Sequence, residues 1–136
     1  MQAVKDFFTT YGSLSLAQDP HGLAAFYAES FIAAGPKGSM VFANDEKFIA
    51  WLIEVQKFNE KTGMEKLNVV KVADTPIGEA YTNATVTWSA YFGKKINQAV
   101  EFDITYILRN ENNGYRVVMY VSHEDQEEVM KEKGLI

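Results

Sequence analysis

Three side chains in this sequence stand where they could act on a small molecule: Tyr11, Tyr106 and His123. Tyr11 shares an apolar stripe with Val4, Phe7, Phe8 and Leu14, spaced by threes and fours. Tyr106 alternates with Ile104 and Leu108. A phenol among aliphatic neighbours needs a partner for its hydroxyl, and a ligand, the other tyrosine or an ordered water could each supply one. Such a hydroxyl can donate to a carbonyl oxygen and polarise it. His123 continues the parity of Val117, Met119 and Val121, which aims it at the mouth of an interior space, where a neutral imidazole is a base. The competing reading is structural: core tyrosines whose hydroxyls reach water, and a solvated histidine at a strand end. Catalytic residues therefore stay unassigned, with Tyr11, Tyr106 and His123 as the candidates. The predicted ligand pocket is lined by Phe8, Tyr11, Trp51, Val55, Trp88, Ile104, Tyr106, Met119 and His123.

The acids that follow His123 have a simpler explanation. Ser122 and Asp125 form a Ser-x-x-Asp start, and Glu124, Asp125, Glu127 and Glu128 then fall in the first turns of a helix. The helix macrodipole favours negative charge there. His123, Glu124 and Asp125 are adjacent, so on a helix they diverge rather than converge on an ion. There is no His-x-His or His-Glu-x-x-His spacing and no cysteine, so neither a metal nor a cofactor is expected. His21, in a Pro-His-Gly turn, reads as exposed. Glu101 and Asp103 share the polar face of their strand; only a reversed register would bring Asp103 inside as a catalytic carboxylate.

The net charge of −5 and the presence of only two arginines, Arg109 and Arg116, argue against nucleic acid and against anionic membrane surfaces. The first residues, MQAVKDFFTTYGSL, hold no long apolar run, so a cytoplasmic protein is expected. The length of 136 residues suits one domain, 1–136, and nine Phe, seven Tyr and two Trp suit an aromatic core or an aromatic-lined cavity.

The elements that would position these residues can be read in order. Periodicity predicts a helix over 2–17. Asp19 as N-cap and Pro20 at the first helical position predict a short second helix to about Tyr27. Two strands follow, around 30–34 and 39–43, about a Gly-Pro-Lys-Gly turn. Asn44 then caps a helix over 45–61, with Phe48, Trp51, Leu52, Val55 and Phe58 on its apolar face and Gly63 at its end. KLNVVKVAD reads as a strand and TPIG as a turn. EAYTNATVTWSAYF alternates, with Ala84, Val86, Trp88 and Ala90 inward. AVEFDITYILR alternates again, with Val100, Phe102, Ile104, Tyr106 and Leu108 inward. A turn at Asn113-Gly114 leads to a last strand with Tyr115, Val117, Met119 and Val121 inward.

The stretches DPHGLAAFYAESFIAAGP, the Asn44-capped helix with Trp51, and TVTW…TYILRNENNGYRVVMYVS together resemble the nuclear transport factor 2-like superfamily, in particular its SnoaL-like members. The resemblance covers essentially the whole chain and rests on the order and spacing of elements. It implies an α+β fold in which N-terminal helices and one long helix pack in a strongly curved, mostly antiparallel sheet, a conical barrel with a pocket. It also implies a homodimer through the outer sheet face, which the moderately polar set Thr85, Thr87, Ser89, Thr105 and Ile107 suits. In the steroid-isomerase branch a tyrosine, a carboxylate base and a buried acid do the work. Here they fall on Tyr11, on Gly35 and on Ile104, so two of the three groups are missing. The Asp-Arg-Asp set of the epoxide-hydrolase branch is not reproduced either, because Arg109 and Arg116 fall on the polar face. Two functions follow as expectations: a protein that binds a small apolar or aromatic ligand, or a small-molecule lyase, isomerase or cyclase using pocket Tyr and His.

Overall fold

The computed structural model describes residues 2–93 and 95–135. Helices α1 (Gln2–Leu16) and α2 (Pro20–Ala24) precede the hairpin of β1 (Tyr27–Gly35) and β2 (Gly38–Ala43). The long helix α3 (Glu46–Thr62) follows, then β3 (Lys66–Ile77), β4 (Tyr81–Tyr91), β5 (Ala99–Glu111), β6 (Gly114–Ser122) and a short α4 (Gln126–Glu132). The strands form one sheet in the order β2-β1-β6-β5-β4-β3. Every pairing is antiparallel except β1 with β6. The sheet is curled and does not close, so β2 and β3 remain as edges.

Local chemistry sets most boundaries. Asp19 caps α2 by accepting from the Gly22 amide at 2.9 Å, with Pro20 in the first turn. That helix stops at Ala24, short of Tyr27, because the Val117 amide takes the Phe26 carbonyl and pulls Tyr27 into the sheet. Asp45, not Asn44, caps α3: its carboxylate accepts from the amides of Lys47 and Phe48 at 3.0 and 3.3 Å. Asn44 instead donates to the carbonyls of Ala24 and Tyr27 at 2.9 and 3.1 Å, tying the start of β1 to the start of α3. Gly63 ends α3 at φ 79°, where a side chain would be strained.

Two strand readings are corrected. TPIG is not a turn, for Thr75, Pro76 and Ile77 stay paired with β4. Proline is tolerated there because β3 is an edge strand. In β6 the register shifts between Ile107 and Leu108: Leu108 faces Val117, but Ile107 faces Met119, leaving Val118 as an extra residue. A bulge of this kind inverts every side chain beyond it. Tyr120 and Ser122 therefore face inward with Tyr106 and Ile104, while Met119 and Val121 face outward.

The main core lies between α1, α3 and the concave face of the sheet, around Phe8, Phe48, Leu52, Val86, Trp88, Tyr106 and Leu108. A second cluster, including Phe92, Val100, Met130 and Leu135, seats α4. Gly12 lets α1 lie close on the sheet, since a Cβ there would sit 3.0 Å from the Leu67 carbonyl and 3.1 Å from the Trp88 ring.

Candidate functional site

The curl of the sheet leaves a cavity of about 730 Å³ on its concave side. α3 supplies one wall, with Trp51, Leu52, Val55 and Gln56. β5 and β6 supply the opposite wall through Ile104, Tyr106 and Tyr120, and α1 adds Tyr11. The tip of the β1–β2 hairpin and residues 124–126 form the mouth. Its size falls within the range of small-molecule sites.

Four tyrosines converge here. The Tyr11 and Tyr27 hydroxyls are hydrogen-bonded to each other. The Tyr106 hydroxyl accepts from Trp88 Nε1 at 3.1 Å in the buried core. The Tyr106 and Tyr120 rings lie 6.2 Å apart. Burial pushes the ionisation of Tyr11, Tyr27 and Tyr106 well up; at Tyr11 the bond to Tyr27 opposes it more weakly. Burial pushes Tyr120 up to about 12. All four are neutral phenols near neutral pH, able to donate but not to act as strong bases.

Two carboxamides face the same space. Gln56 lies on the buried stripe of α3 one turn beyond Leu52 and is 8% exposed. Its Nε2, and that of Gln126, is buried with no hydrogen-bond partner in the protein. At the mouth, Lys37 Nζ sits 3.0 Å from Asp125 and 3.5 Å from Glu128. The Lys37 ammonium holds the Asp125 carboxyl below its usual range.

The structure places Tyr11, Trp51, Val55, Ile104 and Tyr106 on the cavity wall. Trp51 is 39% exposed and marks the rim, packed on Phe42 and Phe48. Phe8 and Trp88 lie behind the tyrosines as core: the Phe8 ring is 4.4 Å from Tyr106 and 6.2 Å from Trp88. Met119 and His123 are on the convex face, contrary to the sequence reading, because the Val118 bulge reverses the parity on which that reading rests. His123 Nε2 meets Thr105 Oγ1 at 2.7 Å, and its amide donates to the Asp103 carbonyl. Asp103 also faces outward and accepts from Thr87 Oγ1 at 2.6 Å. His21 is exposed. The Ser122 hydroxyl donates to the Glu124 carbonyl, and Asp125 is the cap of α4.

Tyr27, Tyr120, Gln56 and Gln126 were not singled out from sequence. Gln56 carried a signal, a polar residue four positions after Leu52 on an otherwise apolar stripe. Tyr120 carried none, because its parity is set by the bulge. Among the described residues no group of three or more His, Asp and Glu could hold a metal ion. No described helix is long and apolar enough to cross a membrane.

A family model described as NTF2-like protein (DUF6841) matches residues 2–125. A search of curated proteins finds no match. Among solved structures, an NTF2-like protein with a cystatin-like fold from Novosphingobium aromaticivorans superposes with a TM-score of 0.70 at 15% identity, over 90% of this chain and 80% of that one. A provisionally named scytalone dehydratase from the same species gives 0.67 at 11% identity, over 90% and 81%. A provisionally named calcium/calmodulin-dependent protein kinase II association domain from Xanthomonas campestris gives 0.65 at 13% identity, over 91% and 86%. At such identities the likeness is one of fold.

Proposed function

The chain belongs to this NTF2-like family, and from that premise we propose that it binds a small apolar or aromatic molecule in the cavity on the concave face of its sheet. The observation that carries the reading is the union of an aromatic and aliphatic wall with a few inward polar groups that the protein leaves unpaired. Apolar area supplies affinity in such sites, and sparse polar groups set orientation.

An enzyme of the lyase, isomerase or cyclase type is the second reading. The four hydroxyls and a fold neighbour provisionally named a scytalone dehydratase favour it. Proton abstraction needs a base, however, and His123 is on the other face of the sheet. The carboxylates nearest the cavity, Glu124 and Asp125, stand at its mouth, and Asp125 is paired with Lys37. Binding without turnover is the better supported of the two.

The test uses N-phenyl-1-naphthylamine, a neutral probe that fluoresces in apolar surroundings. The wild-type protein is expected to bind it. Ala33→Trp, which fills the space opposite Tyr120, should abolish binding while the circular dichroism of the sheet is unchanged. Equal binding by wild type and Ala33→Trp, or none by wild type, would sink the reading.

The convex face is the surface we propose for a second copy of the chain. Val41, Ile32, Met119 and Ile107 follow one another in register across four strands, and Val41 is 75% exposed. The next position in that row is Asn83, whose Oδ1 is buried without a partner. Sedimentation should show a dimer that Val41→Glu with Ile32→Glu converts to monomer; a monomeric wild type rules it out.

A further inference from the structure

We infer that the cavity selects a neutral, flat molecule whose polar atoms are hydrogen-bond acceptors, such as an aromatic ketone or quinone, over its hydrocarbon, phenolic or carboxylate counterparts. This rests on the ligand-binding reading above and adds the polarity of the ligand.

An indole N–H can only donate, so in the Trp88–Tyr106 bond the tyrosine oxygen is the acceptor, and the Tyr106 hydroxyl hydrogen is left over. In the Tyr11–Tyr27 pair one hydroxyl donates to the other, so one of the two hydrogens is again left over. Gln56 and Gln126 each present an amide nitrogen with no partner in the protein. Four donor hydrogens, one each on Tyr106, the Tyr11–Tyr27 pair, Gln56 and Gln126, thus belong to side chains that line one space and have no acceptor in the protein. Two acceptors of the lining are committed, and the Glu124 carboxylate stands out at the mouth. Asp125 takes Lys37 and the Glu128 amide, and the Ser122 hydroxyl is turned to the Glu124 carbonyl. A ligand that brings its own donors would add to the surplus.

Charge narrows the class further. Among the described residues the lining holds one cation, Lys37, and it stands at the mouth paired with Asp125 and Glu128. A carboxylate seated beside the tyrosines would lose its water without gaining a counter-charge, which is costly. A carbonyl oxygen asks only for the hydrogens that are present. Trp51, Phe42 and Phe58 on the surrounding walls suit a planar ring frame.

Displacement of N-phenyl-1-naphthylamine by three molecules of one shape tests this: fluorene, 9-fluorenone and fluorene-9-carboxylate. Fluorenone is expected to bind about tenfold more tightly than fluorene, the size of one well-made hydrogen bond, and the carboxylate most weakly. Gln56→Leu should bring fluorenone and fluorene to within about threefold of each other, because one donor is gone. Tyr106→Phe should do the same, but it also orphans the Trp88 N–H, so Gln56→Leu is the cleaner variant. Equal affinity of fluorene and fluorenone for the wild type overturns the inference and leaves ligand binding standing. Tightest binding by the carboxylate, or a fluorenone preference untouched in both variants, overturns it too. Failure of every compound and of the probe overturns the ligand-binding reading itself.

Discussion

The two faces of the sheet spend their polar groups in opposite ways. On the convex face hydroxyls, carboxylate and imidazole answer one another: Thr85 with Thr105, Thr105 with His123, Thr87 with Asp103. Where β1, β5 and β6 run side by side, an ionic network forms in which Arg109 binds Glu29 and Glu111, and Arg116 binds Glu111. On the concave face the tyrosine hydroxyls and two carboxamides converge with hydrogens to spare. Burial makes an unmatched polar group more costly, so economy alone would put the mismatches outside. Finding them inside marks the concave face as the side shaped by something other than stability. The convex exception, Asn83 Oδ1, lies in the row proposed to meet a second copy.

The largest test of that contrast is truncation on either side. Trp88 is 1% exposed and wedged between Phe8 and Tyr11, so Trp88→Ala should cost about 3–5 kcal/mol of unfolding free energy. On the convex side Thr85→Val keeps the branched shape and loses a half-buried hydroxyl bond. Its cost should stay within about 1 kcal/mol. Urea midpoints of the two variants check this, and comparable losses would erase the distinction.

Next in size is the Trp88–Tyr106 bond. Tyr106→Phe leaves a buried indole N–H without an acceptor, which should cost about 1–3 kcal/mol. Trp88→Phe with Tyr106→Phe removes both partners, and the double variant should lose less than the two single changes added together. Additive losses would show that the bond contributes nothing.

The sheet strands were the most legible part of the sequence. Period-two alternation in β4 and β5 placed Ala84, Val86, Trp88, Ile104 and Tyr106 on one face, and their pairing runs in unbroken register. Periodicity predicts helix α3 to within a residue at either end, though the cap it suggests is Asn44 and Asp45 does the work. Half of the site was hidden for a physical reason. A bulge is a property of two strands together, and nothing in YRVVMYVS marks Val118 as the extra residue. From there outward the parity of Met119, Tyr120, Val121 and Ser122 was inverted, and His123 was carried to the wrong side. Tyr27 reads from sequence as the end of α2, and only long-range pairing with β6 makes it a strand residue.

The two faces should also divide the pH range. Burial raises the ionisation of Tyr11, Tyr27 and Tyr106 above the usual 10.0, so the folded state holds their protons more tightly than the unfolded chain. Their contribution is complete below pH 10 and is lost as pH rises beyond it. Stability should therefore fall steeply with alkali, and Tyr27→Phe should flatten the fall. A wild-type midpoint indifferent to pH above 10 would mean that these hydroxyls reach solvent.

The acid side belongs to the outer network and should be the smallest effect. Hydrogen bonding to Arg109 holds Glu29 at about 2, against an ordinary 4.5, and it lowers Glu111 as well. A depressed carboxylate stabilises the fold above its unfolded value, and that contribution disappears as pH falls from 4.5 toward 2. The Glu29 side chain is 76% exposed, so water and salt screen the pair, and the shift in ionisation overstates its worth. Glu29→Gln should lower the urea midpoint slightly at pH 6 and converge with wild type near pH 2, with the gap narrowing further in concentrated salt. The concave tyrosines are neutral throughout that window, so they add no slope. If Glu29→Gln and wild type run parallel from pH 6 to 2, the ion pair carries no stability. The acid limb must then come from other carboxylates, Asp125 with its Lys37 partner at the cavity mouth first among them.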